Sequence, residues 1–260
     1  SLFAASPAFA QLAPTPLVDH ADTWHYRKGT SEPPANWASV ADASLDASWL
    51  TGPGGFGFGD SDDATVLNDM LRVLPSVPGY ITLYTRRSFA VTGAMDPARH
   101  LRLTLDYDDA CIVYLDGTEV YRTSNVPGTA GTVYPFNQDT ITVNHEASAG
   151  VGGSAPTVVD LGALSSRAGV GTHVLAVQGI NGDITSSDFS LIADLDLVDG
   201  PPPPANITWR LADSPVAVTS NVVMDGGSTL TIEAGVEVTV AAGLSIRAIN
   251  GSHINIAGTA

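Results

Sequence analysis

Residues 101–121, LRLTLDYDDACIVYLDGTEVY, constrain the fold more tightly than any other stretch of the chain. Leu101, Leu103, Leu105 and Tyr107 alternate with Arg102, Thr104 and Asp106, the two-residue period of a strand with one buried face. Asp108-Asp109-Ala110 interrupts that alternation. The run from Ile112 to Leu115 is then continuously apolar, as in a strand covered on both faces. Asp116-Gly117 is a two-residue hairpin signal, so residues 118–121 are expected to return as a third strand. Three strands in so short a span predict a β-meander at the centre of a β domain.

Composition points the same way and narrows the partners. Of the 27 acidic residues 22 are aspartate, which favours turns over helices, and 26 glycines and 17 prolines add to that bias. Against 11 basic residues this leaves a net charge of -16, a surface that repels phosphate backbones and excludes nucleic acid as a partner. It suits a soluble protein in salt water, or one that recruits divalent cations. The single cysteine, Cys111, cannot form an intramolecular disulfide. No stretch approaches the ~18 apolar residues that a membrane-spanning helix needs. Residues 1–10, SLFAASPAFA, end in the small-x-small pattern of a signal-peptide cleavage site. They read as the remnant of an export signal cut after Ala10, which predicts a secreted or cell-surface bacterial protein.

Further strands are expected around Trp24-His25-Tyr26 and over residues 80–91, 133–143, 157–164, 173–180 and 190–198. Residues 65–74 are the one helical candidate, with Val66, Leu67, Met70, Leu71 and Leu74 near helical spacing before Pro75. The glycine-dense run 52–59 matches no phosphate-binding fingerprint. It is expected to let the backbone pass close to other strands or take positive φ. Asp199-Gly200 and four consecutive prolines mark a boundary, a stiff linker over residues 200–205 between a domain of residues 11–199 and a segment of residues 206–260. In that second segment short strands recur between Gly227, Gly235, Gly243, Gly251 and Gly258, the texture of a solenoid that breaks off mid-pattern.

Three blocks of the first domain resemble a galactose-binding-like jelly-roll module of large secreted bacterial proteins. Residues 81–89, ITLYTRRSF, are similar to its I-T-T-Y-F-R-x-x-F strand, and residues 108–120, DDACIVYLDGTEV, to its D-D-G-x-x-V-Y-L-N-G-x-E-V block. Residues 174–178 with Asn181 and Ser186-Ser187-Asp188 are similar to its N-V-L-A-V-E-V-H…S-S-D block. Ala110, Asp116 and Gly179 depart from the pattern, the last where the module often carries histidine. Residues 230–238, LTIEAGVEV, resemble the opening coil of right-handed parallel β-helix domains, with Ala234 in place of proline. The resemblances imply an all-β chain: a jelly-roll β-sandwich followed by the first coils of a right-handed parallel β-helix.

Candidate site residues follow from chemistry. Asp108 and Asp109 are oxygen donors for Ca²⁺ or for sugar hydroxyls, with Ser187 and Asp188 expected nearby. The alternative is that the two carboxylates only hold the turn by accepting backbone N–H bonds. Asp60, Asp62 and Asp63 form a second oxygen-rich set that suits Ca²⁺, or else an exposed acidic loop. Trp24 and Trp37 are candidate sugar-stacking rings, as are Trp49, Tyr107, Tyr114 and Tyr121, unless they pack into the core. The six histidines form no H-x-H or H-E-x-x-H pair, and there is no G-x-S-x-G. The expected function is therefore a secreted, non-catalytic module that binds a polysaccharide or cell-surface polymer, or spaces its neighbours. Two alternatives stand: the first part of a β-helix polysaccharide lyase or glycosidase with its active site beyond residue 260, and a filament or adhesin subunit that self-associates through the β-helix end.

Overall fold

The structure, a computed structural model, describes residues 13–97, 99–139, 141–150, 152–199, 206–218, 222–224, 227–248 and 251–258. The expected export-signal remnant at residues 1–10 and the polyproline linker at residues 200–205 lie outside them. The chain divides into two compact units, Ser1–Asp199 and Gly200–Ala260.

The first unit runs β1 (Thr15–Val18), β2 (Thr23–Lys28), β3 (Leu50–Pro53), β4 (Phe56–Phe58), β5 (Thr65–Val66) and β6 (Thr82–Val91). It continues through β7 (His100–Asp108), β8 (Ala110–Leu115), β9 (Thr118–Arg122), β10 (Thr157–Ala163), one helical turn α1 (Leu164–Arg167), β11 (Gly171–Ile180) and β12 (Phe189–Val198). Two six-stranded sheets result. One has the order β10-β7-β12-β4-β5, with β1 also on β12; the other has the order β3-β2-β6-β11-β8-β9. All neighbours are antiparallel except β4 and β5. This is a β-sandwich. Alternation fills its middle: Leu101, Leu103 and Leu105 from β7 and Leu175 from β11 are all 0 % exposed.

The second sheet is covered on its outer face too, which explains the unbroken apolar runs of β8 and β11. Trp37, Trp49, Tyr84, Val174 and Ala176 form one outer cluster, and Ala110, Ile112, Val126, Tyr134 and Ile180 another. Arg86 projects into the first from the middle of β6, wholly buried, and its guanidinium donates to the Trp37 and Val40 carbonyls and pairs with Asp42 at 2.9 Å. The segment around Trp37 is thus tied to the sheet beneath it.

Three expectations are corrected. Residues 101–121 are not a meander, because β7 and β8 belong to different sheets and the chain crosses between them at Asp108-Asp109. The hairpin from β8 to β9 does form, with φ 50° at Asp116 and 81° at Gly117. Residues 65–74 are not helical. The Thr65 and Leu67 amides pair with the Gly55 and Gly57 carbonyls, and Leu67 and Met70 plug into the core while Val66 and Leu74 stay exposed. Residues 133–143 form no strand among the described residues. Asn125 ties this stretch down by donating to the Val143 and Asp109 carbonyls, and Tyr134 caps the outer face.

The glycine-dense run behaves as expected. A Cβ on Gly57 would lie 1.9 Å from the Phe189 carbonyl oxygen, and Gly55 and Gly59 take φ 77° and 101°. A side chain at Gly179 would meet the Phe189 and Leu191 side chains at 2.8 and 2.9 Å, inside the core. A histidine, which the resembled module often carries here, would not fit at this position.

Among the described residues of the second unit seven short strands follow: β13 (Ile207–Trp209), β14 (Val216–Val218), β15 (Val222–Met224), β16 (Thr229–Ile232), β17 (Val238–Val240), β18 (Ile246–Ala248) and β19 (His253–Ile256). Each of the first four pairs in parallel with the third strand after it, Ile207 beside Leu230, Val216 beside Val238, Val222 beside Ile246 and Leu230 beside Ile254. Met224, Leu230 and Ile232 are buried between these ladders.

Candidate functional site

Two places on the first unit gather polar chemistry. The first is an end of the sandwich. The register sets Ser190 at the start of β12 beside Gly57 near the end of β4 and beside Asp108 at the end of β7. Three turns therefore meet there: Gly59 and Asp60 leaving β4, Ser187 and Asp188 entering β12, and the Asp108-Asp109 corner. A Cβ on Gly59 would lie 2.5 Å from the Ser187 carbonyl oxygen, so the first two turns touch.

The paired aspartates of the corner have divided roles. Asp109, 3 % exposed, accepts the His145 N–H at 3.1 Å on one oxygen and the Gly182 N–H at 2.7 Å on the other. It holds the corner. Asp108, 5 % exposed, instead faces Asp188 and Glu146, and oxygens of all three carboxylates lie within 4.8 Å of one another. Burial, then the charges of Asp109, Asp188 and Glu146, push its carboxyl up to about 9. Ser187 is exposed and turns its hydroxyl to the Asp188 carboxylate at 3.0 Å.

Glu146 is the member that sequence reasoning missed. It sits in a Gly/Ala/Ser-rich stretch with no periodic signal, and only its flanks show why it is placed here. The His145 ring stacks on Tyr107 with centroids 4.2 Å apart and donates from Nδ1 to the Tyr107 carbonyl at 2.9 Å. The Ser148 amide and hydroxyl both donate to Asp106.

Asp60, Asp62 and Asp63 form a separate cluster, also with oxygens within 4.8 Å. Burial, then Asp62, raises Asp60 to about 6, and burial, then Asp60 and Asp62, raises Asp63 to about 8. Both groups hold protons in the fold that they would release on unfolding, where an aspartate titrates near ~3.9. Their contribution is complete below that value and is lost as pH rises through about 6 and then about 8. In EDTA, unfolding temperature is accordingly expected to fall from pH 5 to pH 8.5, and Asp63→Asn to flatten the fall. A calorimetric profile that stays level or rises would contradict this.

The second place is a cleft of about 500 Å³ on the outer face of the second sheet. Trp37, Tyr84, Tyr114 and Tyr134 line it, with Glu32 and Glu119 among its polar groups. The Trp37 ring packs edge-on to Tyr84 and Tyr114 at 5.0 and 5.6 Å and stacks on Trp49 at 6.1 Å. Of the four lining rings only Tyr114 is more than marginally exposed. Glu32 accepts the Phe136 N–H at 3.0 Å. Glu119 is gripped by Arg122 at 2.9 and 2.8 Å and accepts the Gly131 N–H at 2.8 Å. Burial alone would raise the Glu119 carboxyl, but the Arg122 and Gly131 bonds outweigh it and hold it below its usual range.

Of the rings singled out from sequence, Trp37 and Tyr114 line this cleft. Trp24 lies in the sandwich core, 2 % exposed, its indole N–H donating to the Asp19 carbonyl at 3.1 Å. Tyr107 is covered by His145, and Trp49 backs Trp37. Tyr84, Glu32, Glu119 and Tyr134 carried no functional signal in the sequence.

No protein-family model matches the chain, and no curated protein matches it. Among solved structures the chain is similar to a Bifidobacterium dentium beta-glucuronidase complexed with coumarin-3-O-glucuronide, at 20% identity and TM-score 0.39 over 67% of this chain and 21% of that one. It is also similar to a glycosyl hydrolase family 2 member from Bacteroides cellulosilyticus DSM 14838, at 11% identity and TM-score 0.40, covering 69% and 20% of the two chains. A calcium binding mutant of Bacteroides uniformis beta-glucuronidase 2 gives 14% identity and TM-score 0.40, covering 76% and 19%. The chain spans about a fifth of each of these. Among the described residues no helix is long and apolar enough to cross a membrane.

Proposed function

We propose that this chain is an exported, non-catalytic module that binds carbohydrate through the cleft over the second sheet. The observation that carries the reading is the lining of that cleft: the partly exposed Tyr114 ring, backed by Trp37, Tyr84 and Tyr134, beside carboxylates and backbone amides, in a volume of about 500 Å³. Flat apolar faces next to hydrogen-bonding groups suit a sugar ring, which is apolar on its faces and polar at its rim. The same residues speak for binding over catalysis. A general acid needs a carboxyl that keeps its proton near neutral pH. Glu119, the cleft carboxyl gripped by Arg122, is instead held ionised.

A survey of labelled protein on immobilised neutral and acidic polysaccharides tests this. Retention on at least one polymer is expected, weakened about tenfold or more by Tyr114→Ala, a ~1.4 kcal/mol loss that the removal of one stacking ring readily supplies. Uniform failure to bind, or binding indifferent to Tyr114, would count against the cleft.

The Gly200–Ala260 unit is read as the first coils of a right-handed parallel β-helix. Support comes from the parallel pairing of each strand with the third strand after it, and from the glycines at its turns, Gly227, Gly235, Gly243 and Gly251, all at φ between 77° and 83°. In a larger extracellular protein the sandwich would then precede a solenoid in the chain.

A further inference from the structure

We infer that Asp108, Glu146 and Asp188 form a calcium site at the end of the sandwich, tying together the β7–β8 corner, the loop after Asn144 and the turn that enters β12. The first ground is that these three carboxylates converge, with oxygens within 4.8 Å. The second is independent of clustering. Asp108 is 5 % exposed, yet the side chain within hydrogen-bonding reach of its carboxyl is another carboxylate, that of Asp109; no N–H or hydroxyl group among the described residues donates to it, and no arginine, lysine or histidine among them pairs with any of the three. Its neighbour Asp109, in the same corner, has both oxygens satisfied by amides. A buried carboxyl aimed only at other carboxyls calls for a proton or a cation between them.

The donor set selects the cation. Three hard oxygens without sulfur, and with the adjacent His145 ring committed to Tyr107, suit Ca²⁺ or Mg²⁺ rather than zinc. Asp108 ends a strand, whereas Glu146 and Asp188 sit on loops. Such a mixed frame accepts the irregular six to eight oxygens of Ca²⁺, water completing the shell, more readily than the strict octahedron of Mg²⁺. Glu146 is held in reach by the contacts of His145 and Ser148 on either side of it. The site lies apart from the carbohydrate cleft and does not depend on it.

The test uses the full chain, stripped with EDTA and titrated with CaCl₂ by calorimetry, with unfolding temperature as a second readout. Saturable Ca²⁺ binding and a rise in unfolding temperature are expected, with a weaker response to Mg²⁺. Glu146→Gln and Asp188→Asn, both on loops, should each weaken binding at least about tenfold. Asp62→Asn should leave it unchanged. Asp108→Asn should raise the unfolding temperature of the metal-free protein and remove its response to Ca²⁺, whereas a merely structural aspartate would lower it. No heat and no thermal shift at millimolar Ca²⁺ would overturn the inference. So would a response that survives Glu146→Gln but is lost in Asp62→Asn, which would move the ion to the 60–63 loop.

Discussion

Trp24→Ala is expected to destabilise the sandwich by about 3–5 kcal/mol, the range for deleting a buried aromatic side chain and leaving a cavity. Trp24 is 2 % exposed, packs in the same cluster as Phe56 and Leu83, and spends its one polar group on the Asp19 carbonyl. For a unit of this size the loss corresponds to an unfolding temperature lower by roughly 6–20 °C. Scanning calorimetry of the wild-type and variant chains measures it. Carbohydrate binding well below the transition should be retained, because the residue lies outside the cleft. A variant that keeps its stability but loses binding would reverse these assignments.

Arg86→Leu comes second, at about 2–5 kcal/mol. The guanidinium is 0 % exposed and donates to two backbone carbonyls, those of Trp37 and Val40. Removing it leaves both acceptors without that donor, at roughly 1–3 kcal/mol each. Asp42 is 33 % exposed and can turn to water, so the ion pair itself adds little. Unlike Trp24, this position bears on the cleft, since it pins the segment that carries Trp37. Stability and carbohydrate affinity are therefore expected to fall together. Arg86→Lys should recover only part of either, because one ammonium cannot reproduce a planar fork to two carbonyls. Equal stability of Arg86→Lys and wild type would show that the fork is not what holds the segment.

What could be read in advance follows the range of the forces involved. Alternation from Leu101 to Tyr107 and the Asp116-Gly117 hairpin are local signals, and both held. The Asp108-Asp109 corner was legible as a break but not as a crossing between sheets. A turn within one sheet and a corner between two look alike over a few residues, and what separates them here is long-range, the Asp109 amide bonding to the Ile180 carbonyl. The helix expected over residues 65–74 failed for the same reason. Its apolar spacing was real, but the Gly55 and Gly57 carbonyls offered strand partners, and core positions took Leu67 and Met70 individually. The three-carboxylate cluster was half legible: Asp108 and Asp188 stood in recognisable blocks, while Glu146 depends on His145 and Ser148 docking onto β7. The cleft was least legible of all. Tyr84 and Arg86 occupy adjacent strand positions with nothing to mark them until residues 31–49 fold over the sheet.

The cleft over the second sheet is the proposed carbohydrate site. Crystals soaked with the oligosaccharide that binds best in the polysaccharide survey test it most directly. A sugar ring is expected against the Tyr114 ring, with hydroxyls meeting Glu32. Sugar bound elsewhere on the sandwich with that cleft empty would contradict it.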